Sequence, residues 1–201
     1  MKQVFEDFQL TSVDCTAIAN FLKKQNEILM IDLRDNEVGC LGCKEISKVF
    51  SDGNCKLSSL RLGNNSVTDE GVKYLAEALK HSNCKLKNLD LDGDNLTNEG
   101  VKYLAEALKD SNCKLNSLNL GHNLVTDDGV KYLAEALKDS NCTLNSLNLS
   151  YNKFTDEGVK YLAEALKDSN CKLNGLNLTS NSLTDEGVKY LTQTINIWLR
   201  L

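Results

Sequence analysis

The segment EGVKYLAEALKDSNCKL occupies residues 99–115 and recurs without a change at residues 157–173. Close variants of it occur elsewhere in the chain, and five cysteines follow one another at intervals of 29 residues: Cys55, Cys84, Cys113, Cys142 and Cys171. Self-similarity at a fixed period is the signature of stacked structural repeats. The spacing therefore predicts the architecture before any single residue is considered.

Six units of this length can be aligned, and they begin at Ile28, Leu57, Leu86, Leu115, Leu144 and Leu173. Each unit opens with a stretch such as LSSLRLGNNSV (residues 57–67), in which apolar and polar positions alternate as they do in a short strand. The TDEGVKYLAEALK that follows is typical of an amphipathic helix, with Thr68 as its N-cap and with Val72, Leu75 and Leu79 on one face. Each unit is thus predicted to be strand, turn, helix.

The frame LxxLxLxxN followed by LTxxGxxxLAxAL resembles the leucine-rich repeat, in the long 28/29-residue subtype of ribonuclease inhibitor and NOD-like receptors. The resemblance covers about residues 28–191. It implies an α/β fold, a right-handed solenoid or horseshoe with a parallel sheet on the concave side and helices on the convex side, and protein binding as the usual role. Element spacing predicts the same curvature, because strands lie about 4.8 Å apart and packed helices about 8–10 Å apart.

The domain organisation follows from where the repeats begin and end. Residues 1–27 are expected to form an N-terminal cap, with a strand-like piece at VFEDFQL and a helix at DCTAIANFLKK, ahead of the repeats at residues 28–191. Residues 192–201 are interpreted as a C-terminal helix end or cap, since Leu191, Ile195, Trp198 and Leu199 fall at helical spacing. The whole is one domain, and the alternative is a longer protein interrupted at this point.

Composition and charge narrow the classes of function. The net charge is −5, and the absence of a cluster of Lys and Arg disfavours nucleic acid as a ligand. The first residues do not resemble a secretory signal, and no window approaches eighteen apolar residues. We therefore expect a cytoplasmic monomer with reduced cysteines, or a protein of the host cytosol in the case of a secreted bacterial effector, and no membrane partner.

Variation among the six units indicates where a partner would bind. Positions 3, 5, 7 and 8 of each unit are expected to project from the concave sheet, and Tyr and Arg are the side chains that most often anchor interfaces. The candidate partner-binding residues are Asp32, Arg34, Asp35, Arg61, Asp90, Asp92, His122, Tyr151 and Lys153. The alternative interpretation is that they are ordinary solvated surface residues.

The turns after the strands are expected to share the contact with a partner. Six strands present a projected area of only about 400 Å², whereas a standard interface takes about 800 Å² from each partner. The turn residues concerned are Glu37, Ser66, Asn95, Leu124, Lys153 and Ser182.

Motifs that would indicate catalysis or metal binding are incomplete. The DLDGDN that begins at Asp90 starts like a calcium loop but lacks the Gly and Glu that such a loop needs later. Asp94 there replaces the Asn that ties the turn in other units, so a locally altered turn is expected. CLGC (residues 40–43) has no second pair of zinc ligands, and neither a catalytic triad nor a phosphate-binding loop is present. The sequence predicts no catalytic residues, metal or cofactor.

The sequence thus favours a non-enzymatic module that binds a folded protein partner through its concave face. The resemblance to ribonuclease inhibitor suggests an inhibitor or regulator of a partner enzyme, for example a pathogen effector in a host cell. The alternative is a recognition segment of a larger NOD-like-receptor-type sensor or of a multidomain enzyme.

Overall fold

A computed structural model of the protein describes residues 1–25, 27–192 and 198–200. These residues form one continuous parallel sheet with helices on one side. Its strands are β1 (Lys2–Val4), β2 (Met30–Asp32), β3 (Ser59–Arg61), β4 (Asn88–Asp90), β5 (Ser117–Asn119), β6 (Ser146–Asn148), β7 (Gly175–Asn177) and β8 (Trp198–Arg200). Its helices are α1 (Ser12–Lys24), α2 (Gly39–Ser47), α3 (Thr68–Leu79), α4 (Asn98–Leu108), α5 (Asp127–Leu137), α6 (Asp156–Ala165) and α7 (Asp185–Thr192). Strand order in space follows chain order.

The strands pair without any slip of register. Leu60 lies opposite Leu89, and Leu118 lies opposite Leu147, so each leucine column runs straight across the sheet. These leucines point between the sheet and the helices and are buried. The α/β repeat solenoid predicted from the period is confirmed. Its physical basis is that no unit can bury its leucines alone, so each one packs on its neighbours.

The N-terminal segment forms a further strand and helix in register with the repeats. The backbone amides of Phe8 and Leu10 donate to Asn36 Oδ1 at 3.1 and 2.8 Å, as the equivalent amides do in later units. The side chain of Phe8 is 64% exposed at a position where the repeats carry a buried Asn or Asp. The N-terminal segment therefore extends the sheet. Phe8 takes the position of the buried Asn, so the row of Asn side chains does not continue into this segment.

At the C-terminal end the structure differs from the helical spacing expected for Trp198 and Leu199. Trp198–Arg200 is strand β8, which pairs in parallel with β7. The Leu-Arg of WLR matches the Leu-Arg of SLR in β3, and the open edge of β7 offers its backbone groups for pairing. Ile195, predicted to share that helical face, lies outside the described residues.

Threonine N-caps are seen in some units, but the one predicted at Thr68 is wrong. Thr68 is the first residue of α3 and has a left-handed φ of 58°. The equivalent Thr97 is extended, and its Oγ1 accepts from the backbone amide of Glu99 at 3.2 Å. The cap therefore forms where the preceding turn leaves the threonine extended.

A row of five Asn side chains and one Asp, all buried except the partly buried Asn181, ties each turn to the next unit, and we call it the amide ladder: Asn36, Asn65, Asp94, Asn123, Asn152 and Asn181. Asn65 is representative, since its Nδ2 donates to the carbonyls of Leu62 and Leu33 at 2.6 and 2.8 Å. Its Oδ1 accepts from the backbone amide of Val38 at 3.1 Å. Each amide thus acts as a donor toward carbonyls and as an acceptor toward backbone amides.

Asp94 is the exception in the amide ladder. Its Oδ1 accepts from the backbone amides of Asn65 and Val67 at 2.8 and 3.2 Å, while its buried Oδ2 has no hydrogen-bond partner. Burial foremost, together with the charges of Asp90 and Asp92, raises the pKa of Asp94 to about 7. A protonated Oδ2 can donate where the other units have an amide nitrogen.

The altered turn expected around Asp94 is not what the structure shows. The amides of Asp94 and Leu96 donate to Asn123 Oδ1 at 3.1 and 2.9 Å, which is the pattern of the other units. Asn95 has a left-handed φ of 57°, but so does Ser66 in the preceding unit, at 53°, where the ladder residue is an ordinary Asn. The substitution changes the protonation of the ladder position rather than the path of the chain.

A second set of contacts joins the starts of neighbouring helices. Asp127 Oδ1 accepts from the backbone amides of Thr155 and Gly158 at 2.8 and 2.9 Å, and its Oδ2 accepts from Thr155 Oγ1 at 3.0 Å. Asp69 and Asp156 hold the threonine of the following unit in the same way. These aspartates therefore fix one repeat to the next.

Replacing Asp127 with Ala is expected to lower the free energy of unfolding by about 1–2 kcal/mol, because three hydrogen bonds between repeats are lost. Urea denaturation measures the change. Asp128→Ala is the matched control, since Asp128 is an exposed acid in the same helical turn. It should change stability by less than about 0.5 kcal/mol. Equal losses in the two variants would assign the effect to the helix dipole instead.

The cysteine column packs as small apolar side chains. Cys55, Cys84, Cys113 and Cys142 are buried, and their thiols are free. Burial is the leading cause that raises the pKa of each of these thiols. Cys171, at the end of the column, is only partly buried. A buried thiol of raised pKa is unreactive, which agrees with a packing role.

Candidate functional site

Asp32 lies at the centre of a charged cluster on the sheet face that carries positions 5, 7 and 8, which we call the concave face. It is fully buried, because Arg34 covers it with two hydrogen bonds of 2.9 Å, from Nε to Oδ1 and from Nη2 to Oδ2. Arg61 Nη1 reaches Asp32 Oδ2 at 3.3 Å from the next strand. Asp32 was expected to contact a partner directly, whereas the structure makes it the residue that orients both arginines.

Electrostatics hold this cluster in its ionised form. Burial by itself would raise the pKa of Asp32, but hydrogen bonds from the Arg34 side chain and backbone and the charges of Arg34 and Arg61 outweigh it, so the pKa lies below its usual value. The hydrogen bonds to Asp32 foremost raise the pKa of Arg34. Both arginines thus stay paired at any pH at which the protein is folded and Asp32 is charged.

Glu6 is a member of this cluster that sequence reasoning missed. Its Oε2 lies 3.1 Å from Arg34 Nη2. The register of the N-terminal strand could have revealed it, because Val4 pairs with Asp32 and this places Glu6 level with Arg34. Because residues 1–27 lack the LxL pattern, they were interpreted only as a cap.

A polar row crosses three strands next to the cluster. Asn148 Nδ2 donates to Asn119 Oδ1 at 2.7 Å, and Asn119 Nδ2 donates to Asp90 Oδ1 at 2.7 Å. Burial foremost raises the pKa of Asp90, and the nearby charge of Asp92 acts in the same direction. Asp90 is therefore a half-buried carboxylate with a like charge beside it, a setting that favours a cation.

His122 and Tyr151 form a stacked aromatic pair. Their ring centroids are 4.1 Å apart and their planes differ by 11°. The residues have left-handed φ values of 51° and 52°, so adjacent strands present the two rings in the same direction. His122 Nδ1 lies 3.1 Å from Asp92 Oδ1, and each ring remains about half exposed, with His122 and Tyr151 both at 53%. We call these three residues the aromatic plate.

The remaining predicted residues lie at the margin of the concave face. Asp35 is exposed and its Oδ1 accepts from Asn64 Nδ2 at 2.9 Å. Lys153 is exposed in the turn after β6, and the other turn residues named above are exposed as well. The structure thus brings Asp32, Arg34 and Arg61 into one cluster, and Asp92, His122 and Tyr151 into another, with Asp90 between them.

A shallow cavity of about 360 Å³ lies on the concave face between β2 and β5. Arg61 and Asp90 line it on adjacent strands, and small polar residues such as Ser59 and Ser117 form part of its wall. A partner side chain can enter here without displacing a bulky group. Among the described residues no group of three or more metal-ligating side chains lies together, and none of their helices is both long and apolar enough to cross a bilayer.

Comparison with known proteins establishes the family. The model described as "Leucine Rich repeat" matches residues 53–76, 82–105, 111–134, 140–163 and 169–191, more than half of the chain. The chain is a leucine-rich repeat protein. Five of the six units aligned above are matched, and the unit at Ile28 continues their register in β2 and α2. A search of curated proteins found no match to this leucine-rich repeat protein.

A solved structure shares the fold. The leucine-rich repeat protein resembles a structure titled "Leiomodin-1 Actin-Binding Site 2 (ABS2)" with a TM-score of 0.56 and 18% identity, over 74% of this chain and 86% of that one. At this identity the likeness concerns the fold. A structure titled "Crystal structure of TLR13-ssRNA13 complex" matches with a TM-score of 0.47 and 21% identity, over 84% of this chain and 21% of that one.

Proposed function

We propose that this leucine-rich repeat protein is a non-enzymatic module that binds a folded protein partner through its concave face. The observation that carries the proposal is the aromatic plate, because exposed, rigid rings on a polar sheet are the side chains that anchor interfaces. The first-named structural neighbour is titled as an actin-binding site. That title concerns leiomodin, but it fits protein binding as a use of this fold.

The rigidity of the concave face supports the same function. Asp32 holds two arginines in place, and the polar row from Asp90 to Asn148 holds the middle of the sheet. Side chains that are ordered before binding lose little conformational entropy when a partner docks. The narrower forms of the proposal are an inhibitor that covers the active site of an enzyme, or a cytoplasmic effector or regulator that uses the same face as a monomer.

The variant Tyr151→Ala/His122→Ala tests the proposal. Wild-type protein and variant are immobilised, and proteins retained from a cell extract are compared by quantitative mass spectrometry. Each retained protein is then purified and titrated by calorimetry. Loss of the two central rings is expected to lower the affinity for the true partner at least about thirtyfold.

The matched control is Glu106→Ala/Glu135→Ala, which changes two exposed side chains on α4 and α5. It should bind the partner like the wild type. If every protein that binds the wild type also binds the aromatic variant with unchanged affinity, the concave face is not the binding surface.

A further inference from the structure

The N-terminal part of the concave face carries an excess of negative charge. At positions 5, 7 and 8, the N-terminal segment and the first three repeats place six carboxylates on this face against two guanidinium groups: Glu6, Asp7, Asp32, Asp35, Asp90 and Asp92, with Arg34 and Arg61. Lys2 adds one ammonium group level with Met30. The three repeats that follow contribute neutral side chains at these positions, and β8 places Arg200 level with Asn177. A positively charged partner surface is therefore complementary to this face.

The two arginines do not offset the charge at the aromatic plate. Both pair with Asp32, and Arg34 also pairs with Glu6, so the four charges cancel within their own cluster. Among the described side chains, no Lys or Arg lies within salt-bridge distance of Asp90 or Asp92, although the charge of Arg61 acts on Asp90. His122, beside Asp92, is charged only when protonated. The carboxylate next to the plate thus remains available to a cation brought by the partner.

The aromatic plate adds a preference for one kind of cation. A guanidinium group is planar and weakly hydrated, so it stacks on an aromatic face while its N–H groups donate to a carboxylate. Here the two rings stack on each other, so only their outer faces are open, and the outer face of His122 lies on the side of the Asp92 carboxylate. The compact, strongly hydrated ammonium of lysine uses the charge but not the flat ring surface.

We infer that the partner inserts an arginine side chain at the aromatic plate, where the guanidinium stacks on the outer face of His122 and pairs with Asp92. The inference rests on the proposed function and names the chemistry of the partner. The partner surface is accordingly basic and carries at least one exposed arginine.

A short peptide tests this inference directly. The probe is a Gly-Ser peptide whose only charges are two arginines. One matched peptide carries lysine at the same positions, and the control carries citrulline, which keeps the shape and removes the charge. Binding is followed by NMR through the aromatic signals of Tyr151 and His122. We expect the arginine peptide to shift these signals at millimolar concentration, the lysine peptide to bind several-fold more weakly, and the citrulline peptide to bind at least about tenfold more weakly.

Two variants sharpen the test. Asp92→Asn is expected to weaken binding of the arginine peptide about tenfold. Asp128→Asn, an equal charge change at the exposed start of α5, should leave that binding unchanged. Equal binding of the arginine and citrulline peptides, or no shift of the two rings, overturns the inference. In that case the proposed function would still hold, provided that the extract experiment yields a partner whose binding depends on Tyr151 and His122. A partner that is insensitive to both rings overturns the proposed function itself.

Discussion

Asp94→Asn is expected to raise the free energy of unfolding by roughly 2–4 kcal/mol at pH 8, a large gain for one substitution. Above pH 7 the wild type has a buried carboxylate, because the pKa of Asp94 is raised to about 7, mainly by burial. Its Oδ2 has no partner in a place where the other ladder residues present an amide nitrogen. Asparagine supplies that donor without a charge.

The pH dependence identifies the cause. The native state keeps the Asp94 proton up to about pH 7, while the unfolded chain releases it near the ordinary value of 3.8. Stability from the protonated form is thus fully present below about pH 4 and is lost as the pH rises to about 7. The advantage of Asp94→Asn should be small at pH 4 and should reach a plateau above pH 7.

Urea denaturation of wild type and variant from pH 4 to pH 8.5 measures the difference at each pH. Asp128→Asn, at an exposed position, serves as the charge-matched control and should show no such trend. A gain that is the same at all pH values would mean that the proton of Asp94 has no part in it.

Asn152→Asp is the reverse change in another unit and is expected to have an effect of similar size and opposite sign. Asn152 Nδ2 donates to the carbonyls of Leu120, Leu149 and Ser150 at 2.8, 3.1 and 3.1 Å. A carboxylate there would face carbonyl oxygens in a buried place, which costs on the order of 3–5 kcal/mol above pH 7. Below pH 4 the protonated acid can donate again, and most of the loss should vanish.

The control for Asn152→Asp is Asn174→Asp, an exposed amide whose side chain makes no ladder contact. It should be close to neutral by urea denaturation at both pH values. The double variant Asp94→Asn/Asn152→Asp moves the carboxylate between units, and its stability at pH 8 should lie near that of the wild type, since distant sites add. A loss in Asn152→Asp that persists at pH 4 would point to packing rather than to the missing donor.

Much of the fold could be predicted from the sequence because its determinants repeat. Leu60 and Leu62 alternate with polar residues, which predicts a strand, and Val72, Leu75 and Leu79 share a helical face. Strand and helix can therefore be predicted within one unit, and the 29-residue period repeats the prediction in every unit. The ends were harder to predict. Strands β1 and β8 lie in stretches where the repeat pattern is weak, and they form because a neighbouring edge offers backbone partners.

The sequence could predict which residues share the face of the candidate site, but not how their side chains contact one another. Register placed Asp32, Arg61, His122 and Tyr151 on one face, and the structure agrees with that placement. Register does not say that Asp32 is covered by two arginines, or that the rings of His122 and Tyr151 stack. Both facts depend on side-chain conformations across strands.

The sequence by itself determined the period, the order of strand and helix, and the leucine-rich repeat family, because these follow from composition within a single unit. Only the tertiary structure decided which charges pair, which carboxylate is left without a donor at Asp94, and where aromatic rings meet an acid. The physical reason is that most of these contacts join residues about one repeat apart, such as Asp92 and His122. Their energies depend on burial and distance, which exist only once the repeats have stacked.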